Sequence, residues 1–244
     1  MYAVLFDIDG TLLLTGGAGR DSFMATFLED FGVERPDGDV LFAGRSDRAI
    51  AEDLMRLNHI ELSVDNWNRF VAGYYRRLCE ALPQCQGRVL AGVVELLHVL
   101  EQFDHVQLGL LTGNIRVGAQ AKLSHYGLAQ RFAFGGYGDE HADRKDIAAA
   151  ALQSAKEYAA HSNANSHGRL CGTMVIGDTA NDVRCAHSIG AFAVAVATGG
   201  ASVEQLRAAE PDLLLTDLSE TDALLAEVDN ERSEVGDRRS ERRR

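Results

Sequence analysis

Two aspartates near the start of the chain are the residues best suited to chemistry. Asp7 and Asp9 follow the apolar run 3–6 and precede Gly10 and Thr11. Two carboxylates at the end of a buried strand are costly to desolvate unless a cation offsets their charge. The pair therefore indicates either a metal-assisted site or an aspartate-rich turn, and by itself it favours neither.

A second pair of acids follows a later apolar run. Asp178 comes directly after residues 173–177, and Asp182 lies one helical turn further on. Carboxylate oxygens facing Asp7 would make the oxygen-rich site that Mg²⁺ prefers, completed by waters and a substrate phosphate. Asp182 is also placed to cap the helix that begins there.

Two further segments carry groups that could bind phosphate. The hydroxyl of Thr112 and the backbone amides around Gly113 and Asn114 could cradle an anion, although a helix cap explains the same residues. Arg144 and Lys145 precede a helix, where either cation could neutralise a phosphoryl group. A lone cation is more often a solvated surface charge, so its position in the chain is what makes this pair of interest.

The elements that must position these residues alternate between strand and helix. Strands are predicted at 3–6, 106–111, 132–135, 173–176, 192–197 and, at an edge, 211–215; helices are predicted at 93–101, 118–126, 147–160, 182–189 and 203–209. This alternation predicts an α/β fold with a doubly wound parallel sheet. Such sheets bind ligands outside the carboxyl ends of their strands, where all the segments above would meet.

One interval, from about Gly16 to Arg88, contains no convincing strand. Its apolar residues recur at helical spacing, as in the three sets Phe23, Phe27 and Phe31; Ile50, Leu54 and Leu57; and Phe70, Tyr74, Leu78 and Leu82. We interpret it as a small helical domain inserted after the first strand. The predicted division is a core of 1–15 and 89–228, an inserted helical domain of 16–88, and a charged disordered tail of 230–244.

Composition excludes some functions. The chain has 244 residues, 46% of them apolar and 25% charged, with a formal net charge of −12. That acidic balance argues against a general nucleic-acid binder. The four cysteines have no metal-like spacing, and no apolar run is long enough for a membrane span, so we expect a cytoplasmic protein with reduced thiols and no membrane or nucleic-acid partner.

In order and spacing, the motifs resemble the haloacid dehalogenase (HAD) superfamily of hydrolases over about residues 1–218. The matching motifs are Asp-Ile-Asp-Gly-Thr after strand one, Leu-Leu-Thr-Gly-Asn after strand two, a cation before a helix, and Gly-Asp-Thr-Ala-Asn-Asp. The resemblance implies a Rossmann-like HAD core. The helical insert resembles the cap of the branch that includes phosphoglycolate phosphatases and phosphoglucomutases. Those relatives usually follow the third-motif lysine with proline, which Asp146 replaces here; we favour Lys145 over Arg144 for that role.

The resemblance also implies roles for individual residues. Asp7 would be the nucleophile, and Asp9 the general acid and base. The other implied sets are Mg²⁺ held by Asp7, the Asp9 backbone carbonyl, Asp178 and Asp182; phosphate held by Thr112, Gly113, Asn114 and Lys145 or Arg144; and a substrate contact from the cap at Arg45. An aspartate two positions after the nucleophile favours phosphate monoesters over dehalogenation or phosphonate cleavage.

We therefore expect a magnesium-dependent phosphatase that acts, as a monomer or homodimer, on a small phosphorylated metabolite similar to phosphoglycolate. Two alternatives remain open. A sugar-phosphate mutase of the β-phosphoglucomutase kind would share the core and cap. A non-enzymatic phosphoacceptor would keep its acyl phosphate as a signal, but receiver domains are shorter and lack a helical insert.

Overall fold

The centre of the structure is a six-stranded sheet in which every pair of neighbouring strands is parallel. The computed structural model describes residues 1–35, 40, 42–139, 141–161 and 169–229. The strands are β1 (Tyr2–Phe6), β4 (Val106–Leu111), β5 (Phe134–Gly136), β6 (Gly172–Gly177), β7 (Phe192–Val196) and β8 (Leu213–Leu215), in the order β5-β4-β1-β6-β7-β8. The nucleophile candidate therefore follows a central strand.

Helices cover both faces of this sheet. Along β1, the side chains of Val4 and Phe6 pack into one core, and those of Ala3 and Leu5 pack into the other. This alternation is the two-residue period of a strand buried on both faces. The first core receives α4 (Val93–Leu100), α5 (Arg116–His125) and a last helix at 222–229; the second receives α6 (Arg144–His161), α7 (Ala180–Ser188) and α8 (Val203–Arg207).

In the part of the chain between β1 and β4, three more helices form a separate apolar cluster. They are α1 (Ala18–Phe31), α2 (Asp47–Leu57) and α3 (Val64–Ala81), and the 3-10 turn Leu82–Gln84 follows α3. The ring of Phe23 lies in the middle of this cluster, with its centroid 4.6 Å from that of Phe70 and 5.6 Å from that of Tyr74. We call these three helices the cap.

The predicted helical faces of the cap are largely confirmed, with one exception. Ile50, Leu54, Phe70 and Tyr74 are buried, but Leu57 is 62% exposed. Leu57 is the last residue of α2, so the face that it continues has nothing further to pack against. Met55, which was not among the predicted core residues, is buried.

A two-stranded antiparallel ribbon joins the cap to the sheet. It consists of β2 (Leu13–Leu14) and β3 (Arg88–Val89), with Leu13 opposite Val89 and Leu14 opposite Arg88. These strands were not predicted from the sequence, because two residues are too few to show a period. They bring the two chain connections of the cap side by side.

The predicted fold class is confirmed: a doubly wound parallel sheet with an inserted set of helices. The domain boundaries 1–15, 16–88 and 89–228 stay predictions, and the predicted disordered tail, 230–244, lies outside the described residues. Within the part of the chain that the structure describes, no helix has the length and apolar character needed to cross a membrane.

Candidate active site

Three acids converge at the carboxyl edge of the sheet. Asp7 follows β1 and Asp178 follows β6, and these strands are neighbours. The Asp7 N–H donates to the carbonyl oxygen of Ile176 at 3.0 Å, which continues the pairing of the two strands past the end of β1. Oxygens of Asp7, Asp178 and Asp182 all lie within 4.8 Å of one another. The structure thus brings together the acids expected to face each other; we call them the carboxylate cluster.

The carboxylate cluster concentrates negative charge away from water. Asp7 is 7% exposed and Asp178 only 4%. Burial raises the pKa of Asp7 to about 6, against the opposing effect of the Arg144 charge. Burial, followed by the charges of Asp182 and Asp7, raises the pKa of Asp178 to about 8. A divalent cation among these oxygens would offset both the desolvation and the repulsion, so the donor set fits Mg²⁺.

Three glycines make room for the cluster. A Cβ at Gly10 would lie 2.5 Å from Asp178 Oδ2, and a Cβ at Gly199 would overlap the same carboxylate. A Cβ at Gly177 would overlap the side chain of Asp182. Gly10 also has a φ of +85°, a conformation that side chains with a Cβ rarely adopt. The backbone at Gly10 and Gly199 thus packs directly against the Asp178 carboxylate.

Asp182 has both oxygens engaged by protein donors. It is the third residue of α7, and Thr179 is the N-cap. The backbone N–H and the hydroxyl of Thr179 donate to Asp182 Oδ2 at 3.0 and 2.6 Å, completing a capping box. Arg144 donates to Asp182 Oδ1. Asp182 therefore supports the helix cap as predicted, and its position fits a carboxylate that acts beside a metal ion rather than as its main ligand.

Of the two candidate cations, the structure places Arg144, and not the preferred Lys145, beside the acids. The guanidinium of Arg144 is buried, contacts Asp182 and lies 3.6 Å from Asp7 Oδ2. Although burial opposes it, the charges of Asp182 and Asp7 raise the pKa of Arg144. The side chain of Lys145 is exposed. Helix α6 begins at Arg144, and successive helical positions point about 100° apart, so only one of the two can face the acids.

The loop after β4 carries the predicted phosphate-binding residues. Thr112 is fully buried, and its hydroxyl accepts hydrogen bonds from the backbone N–H of Asn114 at 3.3 Å and from Asn114 Nδ2 at 2.8 Å. Gly113 and Asn114 line the cavity above the acids. Asn114 Nδ2 also donates to Asp9 Oδ2 at 2.8 Å, which ties this loop to the end of β1.

Lys122 is a site residue that the sequence analysis missed. Its ammonium donates to Asp9 Oδ2 and to Asn114 Oδ1, each at 2.6 Å, and the residue is 4% exposed. A signal was present: Lys122 lies between Ala119 and Leu123 on the buried face of α5, and it is one of only three lysines in the chain. A lysine on an apolar helical face needs a buried partner.

A cavity of about 530 Å³ lies between the sheet edge and the cap. Asp7, Asp9 and Asp178 line its core side; Arg20, Phe23, Phe42, Ile50 and Tyr74 are among the residues that line its cap side. Arg45, predicted to contact a substrate, also lines this cavity, but its guanidinium pairs with Asp53 Oδ2 at 2.6 Å within the cap.

Asp47 docks the cap onto the phosphate-binding loop, a role that the sequence analysis did not foresee. Its backbone N–H donates to the carbonyl oxygen of Gly113 at 2.8 Å, and its Oδ2 accepts from the N–H of Ile115 at 2.9 Å. Burial raises the pKa of Asp47 to about 6. The first residue of α2 thus holds the cap directly over the carboxyl end of β4.

Known proteins are similar to this chain in sequence and in fold. At 28% identity over 219 residues, the chain matches a protein named probable phosphatase IndB from Dickeya dadantii (strain 3937), and the match covers 89% of this chain and 90% of that protein.

Solved structures share the fold at lower identity. A haloacid dehalogenase-like hydrolase from Streptococcus pneumoniae has a TM-score of 0.61 at 20% identity, covering 91% of this chain and 97% of the other. CbbY from Rhodobacter sphaeroides, solved with phosphate, has a TM-score of 0.62 at 19% identity, covering 90% and 96%. A predicted phosphoglycolate phosphatase from Haemophilus somnus 129pt has a TM-score of 0.60 at 18% identity, covering 89% and 94%.

The match to a family model agrees with the sequence relative and with the solved structures. The family model described as haloacid dehalogenase-like hydrolase matches residues 4–187, which span β1, the cap and α7. Together with the relative named as a phosphatase, this match supports phosphatase function. The chain therefore belongs to the haloacid dehalogenase-like hydrolase family.

Proposed function

We propose that this protein is a Mg²⁺-dependent phosphatase that hydrolyses a small phosphomonoester by transferring its phosphoryl group to Asp7. The observation that carries this proposal is the carboxylate cluster at the base of the cavity, with Arg144 beside it and Asp9 at its rim. An acid set of this kind serves phosphoryl transfer, in which catalysis consists mainly of positioning and charge neutralisation.

Asp7, Asp178 and the Asp9 backbone carbonyl would hold the ion, with Asp182 behind them. When bound, Mg²⁺ would supply charge neutralisation for the phosphoryl oxygens. The tight fit of Gly10 and Gly199 around Asp178 supports this assignment, since it fixes one of the proposed ligands in place.

In the first step, an oxygen of Asp7 attacks phosphorus and the ester P–O bond breaks. Asp9 gives a proton to the departing alkoxide, which leaves as an alcohol. Arg144 lies 3.6 Å from Asp7 Oδ2 and can neutralise charge on the transferred group. Gly113 and Asn114 line the cavity where the remaining phosphoryl oxygens would lie.

In the second step, Asp9 takes a proton from water, and that water cleaves the acyl phosphate on Asp7. General acid–base assistance of this kind is worth about 10²–10⁴ in rate. The cap contacts the core at Asp47 and at Ser46, whose hydroxyl donates to the carbonyl oxygen of Ala142 at 2.7 Å, and a cap held there would limit access of bulk water to this step.

The cavity suits a small phosphorylated metabolite. Its volume of about 530 Å³ lies within the usual range of small-molecule sites, and the cap closes one side. Phosphoglycolate or a compound of similar size is our proposed substrate. The pairing of Arg45 with Asp53 means that recognition of a substrate carboxylate by Arg45 would require this ion pair to open.

The decisive experiment is Asp7→Asn, assayed on an aryl phosphate with Mg²⁺. We expect loss of all measurable turnover, because the amide cannot accept the phosphoryl group, from a variant that still unfolds in a cooperative thermal transition. The matched control is Asp104→Asn, an exposed aspartate before β4 that should leave activity intact. Turnover retained by Asp7→Asn would contradict the proposal.

Product analysis separates the alternatives. Release of inorganic phosphate from a sugar phosphate supports the phosphatase, whereas an isomeric sugar phosphate without free phosphate would identify a mutase. A labelled phosphoryl group that stays on Asp7 for minutes to hours would instead identify a phosphoacceptor.

A further inference from the structure

Asp9 is held through one of its two oxygens. Asp9 Oδ2 accepts from Lys122 Nζ at 2.6 Å and from Asn114 Nδ2 at 2.8 Å. Among the described residues, no hydrogen bond to Asp9 Oδ1 is present. The two oxygens of this carboxyl group therefore lie in different surroundings.

The donors around Asp9 Oδ2 show that this oxygen accepts hydrogen bonds. A lysine ammonium has only donors, so the oxygen that it contacts must accept. The amide of Asn114 is oriented by its neighbours: Nδ2 donates to the Thr112 hydroxyl at 2.8 Å, and Oδ1 accepts from Lys122 at 2.6 Å. Lys122, Asn114 and Asp9 form a closed network, which we call the Asp9 triad.

The triad is buried at one end and open at the other. Lys122 is 4% and Asn114 6% exposed, whereas the Asp9 side chain is 43% exposed and lines the cavity. A buried ammonium is costly unless acceptors surround it, and those acceptors are Asp9 and Asn114. The charge of Lys122 is therefore committed to Asp9 rather than to solvent.

We propose that Lys122 is a positioning residue for the reaction: with Asn114, it anchors Asp9 by Oδ2 and turns Oδ1 toward the ester oxygen of the substrate. This inference rests on the proposed phosphatase function. In the step concerned, the P–O bond breaks, its electron pair stays on the leaving oxygen, and the proton on Asp9 Oδ1 moves to that oxygen. Asp9 is left as a carboxylate facing the Lys122 ammonium.

The benefit of this anchoring is a fixed orientation of the Asp9 carboxyl group. The terminal torsion of an aspartate is broad, so an unanchored carboxyl group samples many orientations. Small errors in the placement of a reacting group cost large factors in rate. Loss of this orientation should lower the rate only for substrates whose leaving group needs a proton, since a stabilised phenolate departs without one.

The test is a leaving-group series. We would measure kcat/KM, which reports the first irreversible step, for wild type and Lys122→Met on alkyl phosphates, phenyl phosphate and p-nitrophenyl phosphate. We expect a loss of about 100-fold or more on the alkyl phosphates, in the range of general acid catalysis, and of less than about 5-fold on p-nitrophenyl phosphate.

Three further variants make the result specific. Lys156→Met removes an exposed lysine of α6 and should leave kcat/KM unchanged on the alkyl phosphates and on p-nitrophenyl phosphate. Lys122→Arg keeps the charge and should recover part of the alkyl phosphate activity, and Lys122→Gln gives a second neutral variant if the methionine variant is unstable. Adding Lys122→Met to Asp9→Asn should cause no further loss, because both changes remove one function.

The outcomes separate cleanly. A wild type that hydrolyses no phosphomonoester defeats the proposed function and this inference with it. An active wild type whose folded Lys122 variants lose the same factor on every substrate overturns the inference alone. An additive loss in the double variant of Lys122→Met and Asp9→Asn also overturns the inference alone. A loss confined to poor leaving groups supports the assignment.

Discussion

Asp7 and Asp9 lie two residues apart at the end of one strand, yet they belong to opposite electrostatic environments. Asp7 joins the carboxylate cluster of three acids, where the buried cation Arg144 lies beside Asp7 and Asp182. Asp9 joins a triad in which one ammonium faces it directly. The cluster has an excess of negative charge that a metal ion can offset, whereas the triad places one ammonium against a single acid. We infer that the first environment is built for binding an ion and the second for orienting a single group.

The comparison is tested most strongly by removing one acid from each region. Asp178→Asn should lower activity by about 10²–10³-fold and abolish the rise in melting temperature that Mg²⁺ gives to the wild type. Asp9→Asn should lower activity on alkyl phosphates comparably but keep the Mg²⁺-dependent rise, because its side chain is outside the cluster. The measurement is thermal unfolding in EDTA and in excess Mg²⁺, beside the assay. Equal loss of the Mg²⁺ effect in both variants would remove the distinction.

The pH dependence of stability gives an effect of intermediate size. Burial raises the pKa values of Asp7 to about 6 and of Asp178 to about 8, above their ordinary value of 3.8. The folded state therefore binds these protons more tightly than the unfolded state, so unfolding free energy without metal should fall as pH rises from about 4 to about 8. The slope should approach 1.4 kcal/mol per pH unit for each such proton.

Denaturant unfolding at several pH values in EDTA would measure this fall, and excess Mg²⁺ should reduce it. Asp178→Asn should flatten the part of the curve near pH 7. A wild-type curve that rises over this range in EDTA would contradict the raised pKa values.

The smallest effect concerns the space around the cluster. Gly199→Ala places a methyl group against the Asp178 carboxylate, so we expect a loss of about 1–3 kcal/mol in stability and a weaker Mg²⁺ response. Gly200→Ala is the matched control, because a Cβ there has no atom within 4 Å. Thermal unfolding with and without Mg²⁺ compares the two variants. Equal melting temperatures in both conditions would show that the residues around Asp178 accommodate the added methyl group.

The sequence predicted the strands and the acids at their ends because both signals are local. Apolar runs followed by aspartate define β1 and β6, and parallel topology then brings Asp7 and Asp178 together. The position of Lys122 on the apolar face of α5 indicated a buried partner, but the identity of that partner, Asp9, depends on the orientation of α5 relative to β1, which no local pattern encodes. The choice between Arg144 and Lys145 depended on the residue at which α6 begins, since a shift of one position exchanges the side chain that faces the acids.

The paired strands β2 and β3 have a consequence for how such a protein can change. Because Leu14 lies opposite Arg88, the polypeptide leaves the sheet domain and returns to it at nearly one point. Everything between those residues can be lengthened, shortened or exchanged without altering the register of the strands beneath. The helices that line one side of the cavity can thus diversify separately from the acids at the sheet edge, since the ribbon of β2 and β3 keeps the covalent connection between them short.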